Sequence, residues 1–150
     1  VARPTDRKGI DRAIGIAQAT GRTLKLIGPE SGPPGTEAFG ILPRRDTLDQ
    51  IASAQAILLT PRTLPDGRGG EGLGLCLIEA ASLGVPGIGC DTGGVSEALG
   101  PGLLLSDPDR PDGPAINAWL SQADRGAEAL AWVHTAHGAS RAVQVLEATL

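Results

Sequence analysis

Two glutamates with seven residues between them, Glu71 and Glu79, frame a glycine-rich turn that runs into an apolar stretch. Glu79 lies inside residues 75–83, which are otherwise apolar or small. An acid in such a place is costly unless donors meet it, and sugar or ribose hydroxyls are suitable donors. Gly69, Gly70, Gly72 and Gly74 let backbone come close to a ligand, and a helix start offers unpaired N–H groups to an anion. Near the N-terminus Arg3 and Lys8 flank a polar loop that enters a helix at Gly9. A guanidinium fork and a mobile ammonium together suit a diphosphate. Each piece also has an ordinary reading. The glycines can serve a tight strand-to-helix turn, Glu71 can cap the helix, and the basic loop, Arg7 included, can simply be solvated.

Other patterns carry less chemistry. Gly28-Pro-Glu-Ser-Gly32 lacks the G-x-G spacing of a dinucleotide fingerprint. Asp107 and Asp109 fall in a proline-rich surface turn, and His134 and His137 stand at helical spacing without a third ligand, so no metal is expected. Trp119 and Trp132 read as helix-packing residues. Cys76 and Cys90 lie in apolar segments and read as reduced core residues of a cytoplasmic protein. Thirteen basic against seventeen acidic residues, net −4, argue against a general nucleic-acid binder. No signal peptide or membrane-spanning run is found in the sequence, which leaves peripheral membrane contact undecided.

The elements that must position these residues follow from periodicity. At 150 residues, with 41% apolar content and almost no aromatics, the chain suits one domain cored by Leu, Ile, Val and Ala. Val1 to Arg3 read as the end of a strand. Helices are expected over 10–19, with Ile10, Ile14 and Ala17 on one side, and over 44–54, with Leu48, Ile51 and Ala52 inward. Further helices are expected over 75–83, 95–99, 115–120, 125–136 and 140–150. Strands are expected over 24–27, 39–42, 56–60, 87–90 and 103–105. Residues 29–36 hold too much proline for regular structure. Strand and helix alternate with short connections, so the fold class is α/β, an open parallel sheet with helices on both faces. In such sheets ligands bind beyond the carboxyl ends of the strands, and all the candidate chemistry falls on that rim.

Glu71-Gly-Leu-Gly-Leu-Cys-Leu-Ile-Glu79 resembles the E-x7-E motif of family 4 retaining glycosyltransferases, which have the GT-B fold. The likeness continues through Leu83-Gly-Val-Pro86 and Asp91-Thr-Gly-Gly-Val-Ser-Glu97, and back to Arg3 and Lys8-Gly9. It implies a Rossmann-like domain, the second half of a GT-B enzyme, that binds a nucleoside diphosphate sugar. By this resemblance Arg3 and Lys8 hold the diphosphate as it leaves, and Glu79 accepts from the ribose hydroxyls. Glu71 meets the transferred sugar, with Gly72, Leu73, Gly74 and Leu75 presenting amides to sugar and phosphate. Gly28 gives the backbone room beside the nucleotide, and Ile41 and Leu42 meet the base by main chain, although core packing explains them equally well. The reaction implied is hexosyl transfer to an acceptor with retention, without a metal cofactor. The partner domain that would carry the acceptor site, the N-terminal half of a GT-B enzyme, is not matched. A stand-alone nucleotide-sugar binding module and a GT-B epimerase are the alternative readings. Residues 61–70 depart from the family pattern; they read as a disordered insertion or as a donor-selecting loop that brings Arg68 to the phosphates.

Overall fold

The computed structural model describes residues 6–67 and 69–138. The expected strand end at Val1 to Arg3, the Arg3 and Arg68 sites and the helix expected over 140–150 therefore lie outside the described residues. A 3-10 turn, Asp6–Lys8, leads into α1 (Ile10–Thr20), β1 (Leu24–Leu26), β2 (Thr36–Ala38), α2 (Arg44–Ala52) and β3 (Ile57–Leu59). There follow α3 (Leu75–Ser82), β4 (Gly87–Cys90), α4 (Val95–Leu99), β5 (Leu103–Leu105), α5 (Gly113–Leu120) and α6 (Arg125–Ala136). Among the described residues the strands pair in parallel: β1 with β2, and β3 with β4 with β5. The α/β architecture is the expected one, with the strands in two hydrogen-bonded groups.

Burial explains the order of layers. Every residue of β4 is buried, as for a strand covered on both faces. On one face Ile51, Leu59, Leu77, Ala80, Val95 and Leu99 form a cluster that joins α2, α3 and α4 to the sheet. On the other, Ile16 of α1 and Ile116 of α5 close over Ile88. A third cluster seats α6 on α3 through Ala81, Ala129 and Val133, with Trp132 packed against it. Trp132 and Trp119 are thus packing residues, the latter under the Arg125 guanidinium at 5.4 Å. His134 is exposed, and His137 meets the Trp132 ring edge-on at 4.9 Å. Cys90 is buried with its thiol 3.3 Å from the Pro61 carbonyl, Cys76 is largely buried, and both are free. Desolvation raises the Cys76 thiol above its ordinary pKa.

Three expectations need correction. The second strand is Thr36–Ala38, not 39–42. Phe39 still donates to the Leu26 carbonyl at 2.9 Å, but Gly40 turns to φ +63 and its amide bonds Pro29, so pairing stops there. Ala52 is exposed, since α2 turns Thr47 and Ile51 inward, and in α1 it is Ile16 and Ala17 that are buried. The 61–70 loop is not a structureless insertion. It folds back on itself through an antiparallel bridge between Thr63 and Gly69 and a 3.1 Å bond from the Gly70 amide to the Arg62 carbonyl.

Two devices fix the carboxyl rim. Gly9 caps α1 at φ +62, and a Cβ there would stand 1.9 Å from the Thr60 carbonyl oxygen. The turn closes further where the Thr60 hydroxyl donates to the Gly9 carbonyl and the Arg62 amide to that of Arg7. The second device is a four-charge clasp. Arg12 donates to both oxygens of Asp109, at 2.8 and 2.6 Å, and to the Pro61 carbonyl at 2.8 Å. Arg62 forks onto Asp11 at 2.9 and 2.8 Å and reaches Asp109 at 3.3 Å. Helix α1 and the loops after β3 and β5 are joined in one network.

Gly9→Ala meets both a backbone angle that L residues avoid and a carbonyl, so it should destabilise by roughly 2 kcal/mol or more, read as a lowered urea midpoint. The clasp has a pH signature. Hydrogen bonding to Arg62 holds Asp11 below its ordinary value of 3.8, and that to Arg12 does the same for Asp109. Folded pKa values below the unfolded ones stabilise fully above that ordinary value and lose the contribution as pH falls through the folded pKa. The wild type should therefore be more stable than Asp109→Asn in urea near pH 7, and the two midpoints should draw together as pH falls below the ordinary carboxylate value of 3.8 and through the lowered folded pKa of Asp109.

Candidate functional site

The site is assembled where chain segments leave the carboxyl ends of β3 and β4. Lys8, on the turn that Gly9 presses against Thr60, points its ammonium at Glu71, with Nζ 2.7 Å from Oε2. Both side chains are partly shielded, at 34% and 20% exposure. Glu71 is held by its main chain as well. The Gly94 amide donates to its carbonyl at 2.8 Å, and Gly93, at φ +64, lies so close that a Cβ would stand 2.2 Å from that same oxygen. Gly94 likewise has room only for a hydrogen, against the Gly72 carbonyl. The glycine turn after β4 is thus the bed on which the Glu71–Gly72 backbone rests.

Glu71 does not cap the helix. Gly74 occupies the N-cap of α3 without a side-chain bond, and the Glu71 carboxylate is turned to Lys8 instead. The Leu77 amide bonds the Gly74 carbonyl, while Leu75 and Cys76, first in the helix, have no carbonyl one turn earlier to meet. Leu73 and Leu75 are 47% and 61% exposed beside these amides. Such an edge offers polar N–H groups next to apolar surface, a combination suited to a sugar phosphate.

Glu79, roughly one turn into α3, finds its donor within the chain: Oε1 accepts from Arg44 Nη1 at 2.8 Å. Arg44 was not among the residues singled out by sequence. Its one local signal is a basic pair, Arg44 and Arg45, in the first turn of a helix, where the macrodipole disfavours cations. Arg44 also ties Glu79 to the loop that carries Ile41 and Leu42. Ile41 is 90% exposed on that loop rather than set in a strand, and the Leu42 carbonyl accepts a long 3.5 Å bond from Thr47. Gly28, at φ +117, sits at the end of β1 and donates to the Gly40 carbonyl at 2.7 Å, so it anchors the same loop. The rim therefore carries two acids, each met by a cation, on either side of the α3 start. Arg12 and Arg62, which brace it, pair across 97 and 51 positions and left no local trace in the sequence.

No family model matches the chain, and no curated protein matches it either. Solved structures do. AviGT4, a glycosyltransferase involved in avilamycin A biosynthesis, superposes with a TM-score of 0.81 at 24% identity over 98% of this chain and 48% of its own. WaaG, a glycosyltransferase involved in lipopolysaccharide biosynthesis, gives 0.64 at 19% identity, over 91% and 40%. The GtfA/B complex gives 0.67 at 22%, over 97% and 34%. The chain thus spans about half, or less, of the length of each. Its fold is the Rossmann-like α/β domain of the GT-B glycosyltransferases.

Proposed function

We propose that this chain is the donor-binding domain of a retaining glycosyltransferase, which takes a hexosyl group from a nucleoside diphosphate sugar. The observation that carries the reading is the convergence of Lys8, Glu71 and the α3 start on one rim of a GT-B fold. Lys8, with Arg3, meets the diphosphate, and the Gly72 to Leu75 amides face sugar and phosphate. Glu71 accepts from the sugar hydroxyls, and Glu79 from the ribose, with Ile41 and Leu42 beside the base through their main chain.

Chemistry supports the assignment. A diphosphate competes with Glu71 for the Lys8 ammonium, and the displaced carboxylate is then free to accept from sugar hydroxyls. When the bond from the anomeric carbon to the diphosphate breaks, the electron pair leaves with the phosphate. Lys8 and the helix amides stabilise the charge that develops there. These cations and dipoles belong to the protein, so no metal ion is required by the proposal. The acceptor hydroxyl, which bonds the anomeric carbon as its proton passes to the departing diphosphate, would be positioned by a second domain, as the partial coverage of the GT-B structures supports. Free Cys76 and Cys90 fit a reducing, cytoplasmic setting, and no described helix is long and apolar enough to cross a membrane.

Calorimetric titration with UDP, GDP and ADP, with and without a chelator, tests the reading. One nucleotide should bind irrespective of chelator, and Glu79→Ala should weaken it about 10- to 150-fold, the loss of a charge-assisted bond worth about 1.5–3 kcal/mol. Equal affinity in the variant would remove Glu79 from the ribose site. Absence of binding by folded protein would contradict the donor-site reading for the chain on its own.

A further inference from the structure

Arg44, the first residue of α2, reaches across to α3 and donates from Nη1 to Glu79 Oε1 at 2.8 Å. The same two helices share the apolar cluster that holds Ile51, Leu77 and Ala80. Local stability does not explain a cation at position 44. It stands in the first turn of α2, where the macrodipole disfavours positive charge, next to a second cation, Arg45. Its side chain is largely exposed and that of Glu79 only partly shielded, and such pairs add little to folding. A residue that breaks a local rule without a return in stability points to a task at the site.

What the bond does is order a carboxylate. An untied glutamate of this exposure samples several rotamers, and a ligand that needs one of them bears the ordering cost. Tied to Arg44, Glu79 is set in one direction before any ligand arrives. A carboxylate has about four acceptor sites, so one N–H from Arg44 and two vicinal hydroxyls fit on it together. A guanidinium can only donate, so it does not compete with Glu79 for the hydroxyl protons.

We propose that Arg44 is a positioning residue for ribose recognition. It holds Glu79 in the rotamer that accepts the 2′- and 3′-hydroxyls, and so sets the preference for a ribonucleotide over its deoxy forms. The inference rests on the donor-site reading, which gives the ribose to Glu79 but assigns nothing to Arg44. Arg44 stands two residues after Leu42, so the same bond also fixes the ribose acceptor relative to the loop beside the base.

Calorimetry with UDP, GDP and ADP and with their 2′,3′-dideoxy forms tests it. For each base the ratio of the two affinities isolates the ribose, because loss of a nearby cation weakens both nucleotides alike. In Arg44→Ala the ratio should fall about 3- to 10-fold, the ordering cost of one side chain. Arg45→Ala, which removes the neighbouring cation, should leave the ratio unchanged, and Arg44→Lys should retain most of it. The urea midpoint of Arg44→Ala should equal or exceed that of the wild type, since a cation leaves the first turn of α2. Without nucleotide, the side-chain couplings of Glu79 should report one dominant χ1 rotamer in the wild type and averaging in Arg44→Ala. An unchanged ratio in Arg44→Ala, an equal loss in Arg45→Ala, or a Glu79 already averaged in the wild type would overturn the inference and leave the donor-site reading standing. So would a larger ratio in Arg44→Ala, the result for an arginine that only blocks Glu79. A wild type that binds no nucleotide, or binds ribo- and dideoxy forms equally, removes the ribose assignment of Glu79 and this inference with it.

Discussion

Much of the carboxyl rim depends on one close approach, the Gly9 backbone against the Thr60 carbonyl. Only a residue without a Cβ can hold φ +62 at that distance. The approach sets where α1 begins, and with it the position of Lys8 on one side and Arg12 on the other. Lys8 is thereby delivered to Glu71, sixty-three positions away, and Arg12 to Asp109 and Pro61. A larger residue at position 9 would push α1 off the end of β3 and separate the basic turn from the acid it meets.

The two kinds of ion pair on this rim differ in a way that matches different tasks. In the clasp, Arg12 makes three bonds from one guanidinium whose side chain is 14% exposed, and Arg62 forks onto Asp11. Planar, multiply bonded arginines of this sort hold geometry. Lys8 and Glu71 share one bond between a flexible ammonium and one carboxylate oxygen. Single, partly exposed pairs contribute little to stability and exchange partners easily. Rigid pairs thus frame a site whose own charges are free to be traded for those of a ligand. Arg44 is intermediate: it is exposed and singly bonded to Glu79, and it links the α3 acid to the loop between β2 and α2.

Sequence reading recovered what local patterning controls. β4, α4, β5 and α6 fall at the expected residues because their apolar runs are bounded by glycine, proline or a cap. The second strand was misplaced because Phe39, Ile41 and Leu42 look like a strand, whereas Gly40 turns the backbone and leaves Ile41 in solvent. Glu79 was legible as an acid that needed a donor, and Glu71 as the first glutamate of the motif, with a helix cap as its ordinary reading. Their partners within the chain, Lys8 and Arg44, come from other elements, and only Lys8 carried a motif. The Arg12–Asp109 and Arg62–Asp11 pairs were invisible, since neither spacing nor residue type marks contacts made between distant loops.

The central claim is that a nucleoside diphosphate sugar occupies the rim formed by Lys8, Glu71 and the start of α3. Amide chemical-shift mapping of the protein with the nucleotide that binds tests it most directly. The account predicts that the perturbed amides cluster at Lys8 to Ile10, at Gly72 to Leu75 and at Gly93 and Gly94. Shifts confined to other surfaces, with these amides unmoved at saturation, would contradict it.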